Sequence, residues 1–254
     1  MSRGGEVVIE TIVGACPLDC PDACSWIVTL QDGVPVKLRG NPDHPHTGKG
    51  LCVKVNPYLE YTRHPDRLLN PLRRVGDKGE GRFKQISWDE ALSEIAQRLG
   101  EVSEEFGSEA IWPYLGTGTI GYIQGVGGAG QRLFNSLGAS RHSANICSAA
   151  AYPGLEYTSG RGPSMDPMDI PNAGVVVIWG ANTVSTNQHL WPFVREAQKD
   201  GAELVVIDPV ATRTARRADR HLAIRPGTDG ALALGLMAHL NTFGLVDAGA
   251  HDGI

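Results

Sequence analysis

No run of this chain is apolar for long enough to span a bilayer, so a membrane-crossing helix is not expected. No basic excess is present either. Lys and Arg number 23 against 28 Asp and Glu, a formal charge of −5, which argues against nonspecific nucleic-acid binding by the whole chain. Internal repeats, low-complexity tracts and heptads are absent, which removes solenoids and coiled coils. The first residues, Met1 to Glu10, hold neither paired arginines nor an apolar core of a signal peptide, so a cytoplasmic setting is expected. Cysteine is scarce, five in 254 residues, and without an export signal a disulfide framework is not expected. What remains is 41% hydrophobic and 20% charged, the profile of a soluble protein of one or two domains with enough length to bury a core.

The few cysteines are not scattered. Cys16, Cys20 and Cys24 stand at intervals of four in C-P-L-D-C-P-D-A-C, and Cys52 follows in G-L-C-V-K. Thiolates are soft ligands, so four of them point to an iron–sulfur cluster or structural zinc. The spacing differs from the paired C-x-x-C knuckles that usually hold zinc, and cluster binding leads. Burial of the four as small hydrophobes is the competing reading. Pro17 and Pro21 each follow a cysteine and stiffen the loop by fixing φ. Trp26 to Leu30 and Val34 to Leu38 alternate about Asp32-Gly33, a hairpin signal that carries the chain away and returns it near Cys52.

Around this stretch, Glu6 to Val13 reads as a strand and Pro57 to Arg74 as a surface connector. Ser87 with Glu90 makes a capping box. Ala91, Leu92, Ile95, Ala96, Leu99, Val102 and Phe106 then recur at helical intervals up to Gly107, which predicts a helix with one buried face. Ala110 to Leu115 reads as a short strand running into G-T-G-T-I-G at Gly116 to Gly121. That matches the dinucleotide fingerprint only literally, because no acidic residue stands at the expected distance. A helix is predicted over Gln131 to Leu137. Cys147 follows among small residues, which suit a ligand or nucleophile and tight helix packing equally.

The last third alternates strand and helix. Gly174 to Gly180 is a continuous apolar run, as expected of a parallel strand buried on both faces. Leu190 to Lys199 reads as a helix, Glu203 to Asp208 as a strand, Leu222 to Arg225 as a third strand and Gly230 to Leu240 as a helix. The pattern is a nucleotide-binding, Rossmann-like half-fold whose ligand sits beyond the carboxyl ends of the strands, near Gly180, Asn182 and Asp208. Asp208 suits the donors of a ribose or a guanine edge, or else a turn before Pro209. Arg213, Arg216, Arg217, Arg220 and Arg225 suit phosphate or a solvated loop.

Several separated segments agree with one family. C-P-L-D-C-P-D-A-C, G-N-P-D-H-P at Gly40 to Pro45, G-L-C-V-K, I-S-W-D-E-A-L at Ile86 to Leu92, I-W-G-A-N, V-I-D-P and R-P-G-T-D-G-A-L at Arg225 to Leu232 resemble the molybdopterin-dependent oxidoreductases of the dimethyl sulfoxide reductase superfamily. The resemblance implies a β-rich cluster domain over residues 1–60, with a [4Fe–4S] cluster on Cys16, Cys20, Cys24 and Cys52. It implies an α/β region over residues 61–254 for a molybdenum or tungsten bis-molybdopterin guanine dinucleotide. Lys54 matches the family lysine between cluster and pterin. Cys147 resembles the metal ligand of some branches, with Ser148 as the lesser alternative. Gly180, Asn182, Asp208 and the turn Pro226, Gly227, Thr228, Asp229 match positions that hold one guanine dinucleotide arm.

Two departures bear on function. Formate dehydrogenases of the family place a histidine directly after the metal ligand, where Ser148 stands, which lowers the expectation of formate oxidation. Family members are also much longer, so a truncated, fragmentary or partner-completed member is expected. The reading is a redox enzyme, or part of one, with a small-molecule substrate, an electron-transfer partner protein and a possible second chain. The alternative is a cluster-binding electron-transfer module, or an inactive remnant, that never holds molybdenum.

Overall fold

The structure, a computed structural model, describes residues 7–18, 20, 22–48, 50–114, 123, 128–142, 146–160 and 165–246, with backbone alone at 146–148 and 159. Two compact units divide the chain: Met1–Gly40 with Val53–Ala149, and Asn41–Cys52 with Ala150–Ile254.

In the first unit β1 (Ile9–Ala15), β2 (Ser25–Gln31) and β3 (Val34–Gly40) form an antiparallel sheet in that order. The turn between β2 and β3 falls on Asp32 and Gly33, at φ 53° and 76°, the paired left-handed positions of a type I′ hairpin. Asp32 also fastens the start of β1. Its N–H donates to Val8 O (2.9 Å) and its Oδ1 accepts the Val8 N–H (3.0 Å). Thr29 pairs with Lys37 but Leu30 pairs with Pro35, so Val36 is an extra residue in β3. A bulged edge strand is where a proline without an N–H is tolerated.

The predicted connector contains α1 (Tyr58–Arg63) and β4 (Leu72–Arg74), the latter paired with β5 (Phe83–Gln85). The helix α2 (Trp88–Phe106) starts on the capping box, with Glu90 N–H to Ser87 Oγ (3.1 Å) and Ser87 N–H to Glu90 Oε2 (2.8 Å). Arg73 Nε and Nη2 both reach Glu94 Oε2 at 2.6 Å and tie β4 to this helix. The predicted buried face is not buried. Leu92, Ile95 and Phe106 stay 57–66% exposed, and no residue of α2 is buried among those described. An amphipathic stripe needs a surface to cover it, and here Ile95, Leu99 and Val102 of α2 line, with Leu72 and Ile86 beside the β4–β5 hairpin, an apolar groove of about 510 Å³.

The strand predicted over Ala110 to Leu115 is not formed over its described residues. Ser108–Ala110 is a 3-10 turn, and Ile111 receives a single bond, from Ser140 N–H to its carbonyl (2.9 Å), too little for a ladder. Helix α3 (Ala129–Leu137) ends on left-handed Gly138, with Ala139 N–H bonded to Phe134 O (3.0 Å). Helix α4 (Ile146–Ser159) follows, with Pro153 inside it.

In the second unit β6 (Val175–Trp179), β7 (Glu203–Ile207) and β8 (Arg220–Leu222) form a parallel sheet in that order. Helices α5 (Thr183–Thr186) and α6 (Trp191–Lys199) make the crossover from β6 to β7, and α7 (Asp229–Thr242) follows β8. The core gathers Ile178, Val194, Ala197, Leu204, Val206 and Ala215. The middle strand is the buried one, with Leu204 and Val206 fully enclosed. β6 departs from the expected two-sided burial: Ile178 faces the core, while Val175 and Val177 are 56% and 55% exposed. Among the described strands it lies at the edge of its sheet, with one face covered. His46 stacks on Phe193 of α6, ring centroids 5.6 Å apart and planes 4° apart, which attaches the Asn41–Cys52 segment to this unit. No helix among the described residues is long and apolar enough to cross a membrane.

Candidate functional site

The cysteine loop grows directly from the first sheet. Ala15 lies opposite Ser25, so residues 16–24 leave and re-enter the ladder at one point. The Cys16 N–H donates to Cys24 O (2.8 Å) and closes the loop at its mouth, while Cys20 N–H turns back to Leu18 O (3.0 Å). Ala23 takes φ 43° just before Cys24. Cys24 is 4% exposed, Cys16 and Cys20 are half-buried, and neither these nor Cys52 form a disulfide. A nine-residue loop thus carries three reduced thiols, a soft donor set that fits an iron–sulfur cluster. The half-buried Cys52 closes the Asn41–Cys52 segment, and Lys54 is exposed in the turn that follows.

The second cluster of expected residues lies at the carboxyl ends of the parallel strands. Gly180 has φ 62°, and its N–H continues the ladder to Ile207 O (2.8 Å). Asp208, at the end of β7, accepts the Val210 N–H on Oδ1 (2.8 Å), the bond of a turn aspartate. In the Pro226 to Asp229 turn Gly227 has φ 81°, and Thr228 bonds Arg225 O through both its N–H (3.1 Å) and its hydroxyl (2.7 Å). Asp229 Oδ1 accepts the Trp179 indole N–H (2.7 Å), which joins the end of β6 to the first residue of α7. Thr228 and one oxygen of Asp229 are therefore engaged within the fold. Left for a ligand are the Asn182 side-chain NH2, the second Asp208 oxygen and the first-turn N–H groups of α7.

Of the arginines, Arg220 pairs with Glu203, and Arg217 lies 5.9 Å over the Trp191 ring. The side chains of Arg213, Arg216 and Arg225 have no partner among the described residues. Asp219, between them, accepts the Leu204 N–H (2.8 Å) and a Gln198 amide proton (3.1 Å); these two bonds, the backbone one first, hold its carboxyl below the usual range. Sequence reasoning missed Thr214 and Trp179, whose partners are 30 to 50 residues away, and no local signal could have found them. Cys147 is the second residue of α4, but its side chain and that of Ser148 lie outside the described residues, as does the segment Gly116 to Gly121.

Comparison with known proteins covers both regions. The family model for the molybdopterin oxidoreductase Fe4S4 domain matches residues 9–64, and that for molybdopterin oxidoreductase matches residues 67–247. The probable oxidoreductase YoaE of Bacillus subtilis is 41% identical over 222 residues, 87% of this chain and 32% of that protein. Dimethyl sulfoxide reductase DmsA of Escherichia coli is 34% identical over 255 residues, 94% of this chain and 31% of that protein. Among solved structures, acetylene hydratase from Pelobacter acetylenicus superposes with a TM-score of 0.66 at 30% identity, over 90% of this chain and 31% of that one. The chain thus spans about a third of the length of these relatives. With the cysteine loop inside the first matched region and the parallel sheet inside the second, the chain belongs to the molybdopterin oxidoreductase family.

Proposed function

We propose that the chain supplies the cluster-binding and one dinucleotide-binding part of a redox enzyme that acts on a small-molecule substrate. Residues 1–60 form the cluster domain in this reading, and residues 61–254 form a Rossmann-like region that holds a guanine dinucleotide arm of the pterin cofactor. The observation that carries it is the closed Cys16–Cys24 loop, three thiols presented by one hairpin in a region that matches the Fe4S4 domain. Cys16, Cys20, Cys24 and Cys52 are the cluster ligands, and Cys147 is the ligand to molybdenum or tungsten. When bound, the cluster exchanges single electrons and the pterin-held metal exchanges electron pairs with substrate.

The protein's own part is placement. Cys24, buried at the loop mouth, fixes one thiolate, and the backbone hydrogen bond from Cys16 N–H to Cys24 O fixes the loop span. The Lys54 ammonium favours added negative charge on the cluster side of the electron path. Asn182 and Asp208 meet the nucleotide arm at the ends of adjacent strands. A protein that accepts or supplies the electrons is the expected partner. Further polypeptide covers the apolar faces: α7 is apolar on all sides yet has no buried residue, with Leu234 68% and Met237 63% exposed.

Iron and acid-labile sulfide analysis of the anaerobically purified chain tests the reading, with about four of each per chain expected. The Cys20→Ser variant is expected to lose the iron and to melt lower, because metal binding is part of the domain's folding energy. Full iron content in that variant would refute the ligand set.

A further inference from the structure

Asn182 stands at the N-cap of α5, where an asparagine side chain ordinarily accepts an N–H from the first turn of the helix. It does not do so here. The Val184 N–H goes instead to Thr214 Oγ1 (3.0 Å), a residue thirty positions downstream in the connection between β7 and β8. Thr214 is fully buried, and its hydroxyl bonds Asn182 Oδ1 (2.9 Å).

The polarity of that second bond is decided by counting protons. A hydroxyl has one proton to give and can accept two. Thr214 already accepts the Val184 N–H, whose direction is fixed because a backbone nitrogen can only donate. Among the described residues Asn182 Oδ1 is the one acceptor recorded for the Thr214 proton. A flipped amide would set the Asn182 NH2 against the hydroxyl and leave a fully buried O–H unsatisfied, so the amide oxygen faces Thr214 and the NH2 group faces away.

We infer that Thr214 is a positioning residue that caps α5 in place of Asn182 and locks the Asn182 amide with its two donors turned toward the nucleotide arm. The inference rests on the dinucleotide reading of this sheet end and goes further, because it fixes the chemistry of the contact. Asn182 can offer hydrogen bonds only to an acceptor, such as a phosphate, ribose or purine oxygen or nitrogen. Asp208, at the end of the next strand, offers only an acceptor when ionised. Adjacent strand ends thus present one donor and one acceptor, a pattern suited to a guanine nucleotide.

The test uses the full chain, guanosine diphosphate as the probe, and three variants. Thr214→Val removes the hydroxyl at nearly constant shape, Thr214→Ser keeps it, and Asn182→Asp keeps the bond to Thr214 while replacing the outward donors by a carboxylate oxygen. By titration calorimetry Thr214→Val and Asn182→Asp are each expected to weaken binding about tenfold or more, roughly one hydrogen bond to a charged group, with Thr214→Ser near the parent. Equal binding by Asn182→Asp overturns the donor assignment. Side-chain amide NMR without ligand separates the two readings. The Asn182 NH2 is expected to be rigid in the parent and mobile in Thr214→Val; a mobile amide in the parent overturns the lock, whereas a rigid amide in a chain that ignores the nucleotide overturns the dinucleotide reading alone.

Discussion

Gly14 lies opposite Trp26 across β1 and β2, two residues before Cys16, and the space beside it is already filled by the indole. A Cβ built there would overlap Trp26 Nε1 and sit 3.0 Å from Cδ1, closer than side-chain atoms tolerate. Trp26 cannot swing away without cost, since its ring packs against Tyr58 with centroids 5.6 Å apart. Gly14→Ala therefore sets two effects against each other. Restricting the unfolded chain favours alanine by about 0.4–1 kcal/mol, while overpacking costs about 1–3 kcal/mol. At the middle of both ranges overpacking wins, by roughly 1.3 kcal/mol, or a few degrees of melting temperature for a chain of this size. The assay is thermal unfolding of the anaerobically prepared protein by circular dichroism, with iron content measured in parallel. Gly14→Ala is expected to melt lower and to hold less iron, and adding Trp26→Leu is expected to restore stability relative to Trp26→Leu alone, a coupling of about 1 kcal/mol. A Gly14→Ala protein as stable as the parent would refute the claim that the indole occupies this space.

Two further outcomes test the second unit. Leu204→Ala, at a fully enclosed position of β7, is expected to cost about 2–5 kcal/mol in urea unfolding, and a loss under 1 kcal/mol would mean that this core is not packed as described. Asp219 has its folded-state pKa lowered, so its bonds stabilise above the unfolded carboxylate range and that contribution is lost as pH falls through the folded value. The stability gap between the parent and Asp219→Asn is therefore expected to shrink between pH 7 and pH 3; a gap independent of pH would remove the role assigned to this carboxylate.

What was legible in the sequence was local. Asp32-Gly33 sets a turn by the backbone angles its two residues accept, and Ser87 with Glu90 starts a helix by bonds within four residues. The readings that failed depended on a distant partner. Residues 110–115 have strand-like composition, but a strand exists only where another pairs with it, and Ile111 finds one bond to Ser140. The apolar run of β6 suggested two covered faces, whereas only the face of Val176 and Ile178 packs on the core and Val175 and Val177, on the other, stay open. The site divides in the same way. The cysteine spacing is visible at once, but that Asp229 anchors Trp179, and that Thr214 orients Asn182, follows only from the fold.

The anchoring of α7 shows why those distant bonds bear on function. A helix is usually held by the face it buries, yet α7 buries no residue. Its first residue is held instead: Asp229 receives the Trp179 indole N–H from the end of β6, and the Gly227 and Thr228 turn bonds back to Arg225. The constrained end is the one that carries unbonded N–H groups and the positive end of the helix dipole, and it follows the sheet at its carboxyl side. Stability alone would favour fixing the apolar body of the helix. A fold that instead fixes the polar tip holds its unbonded N–H groups in place, which is the arrangement that the proposed nucleotide-arm site at this end of the sheet requires.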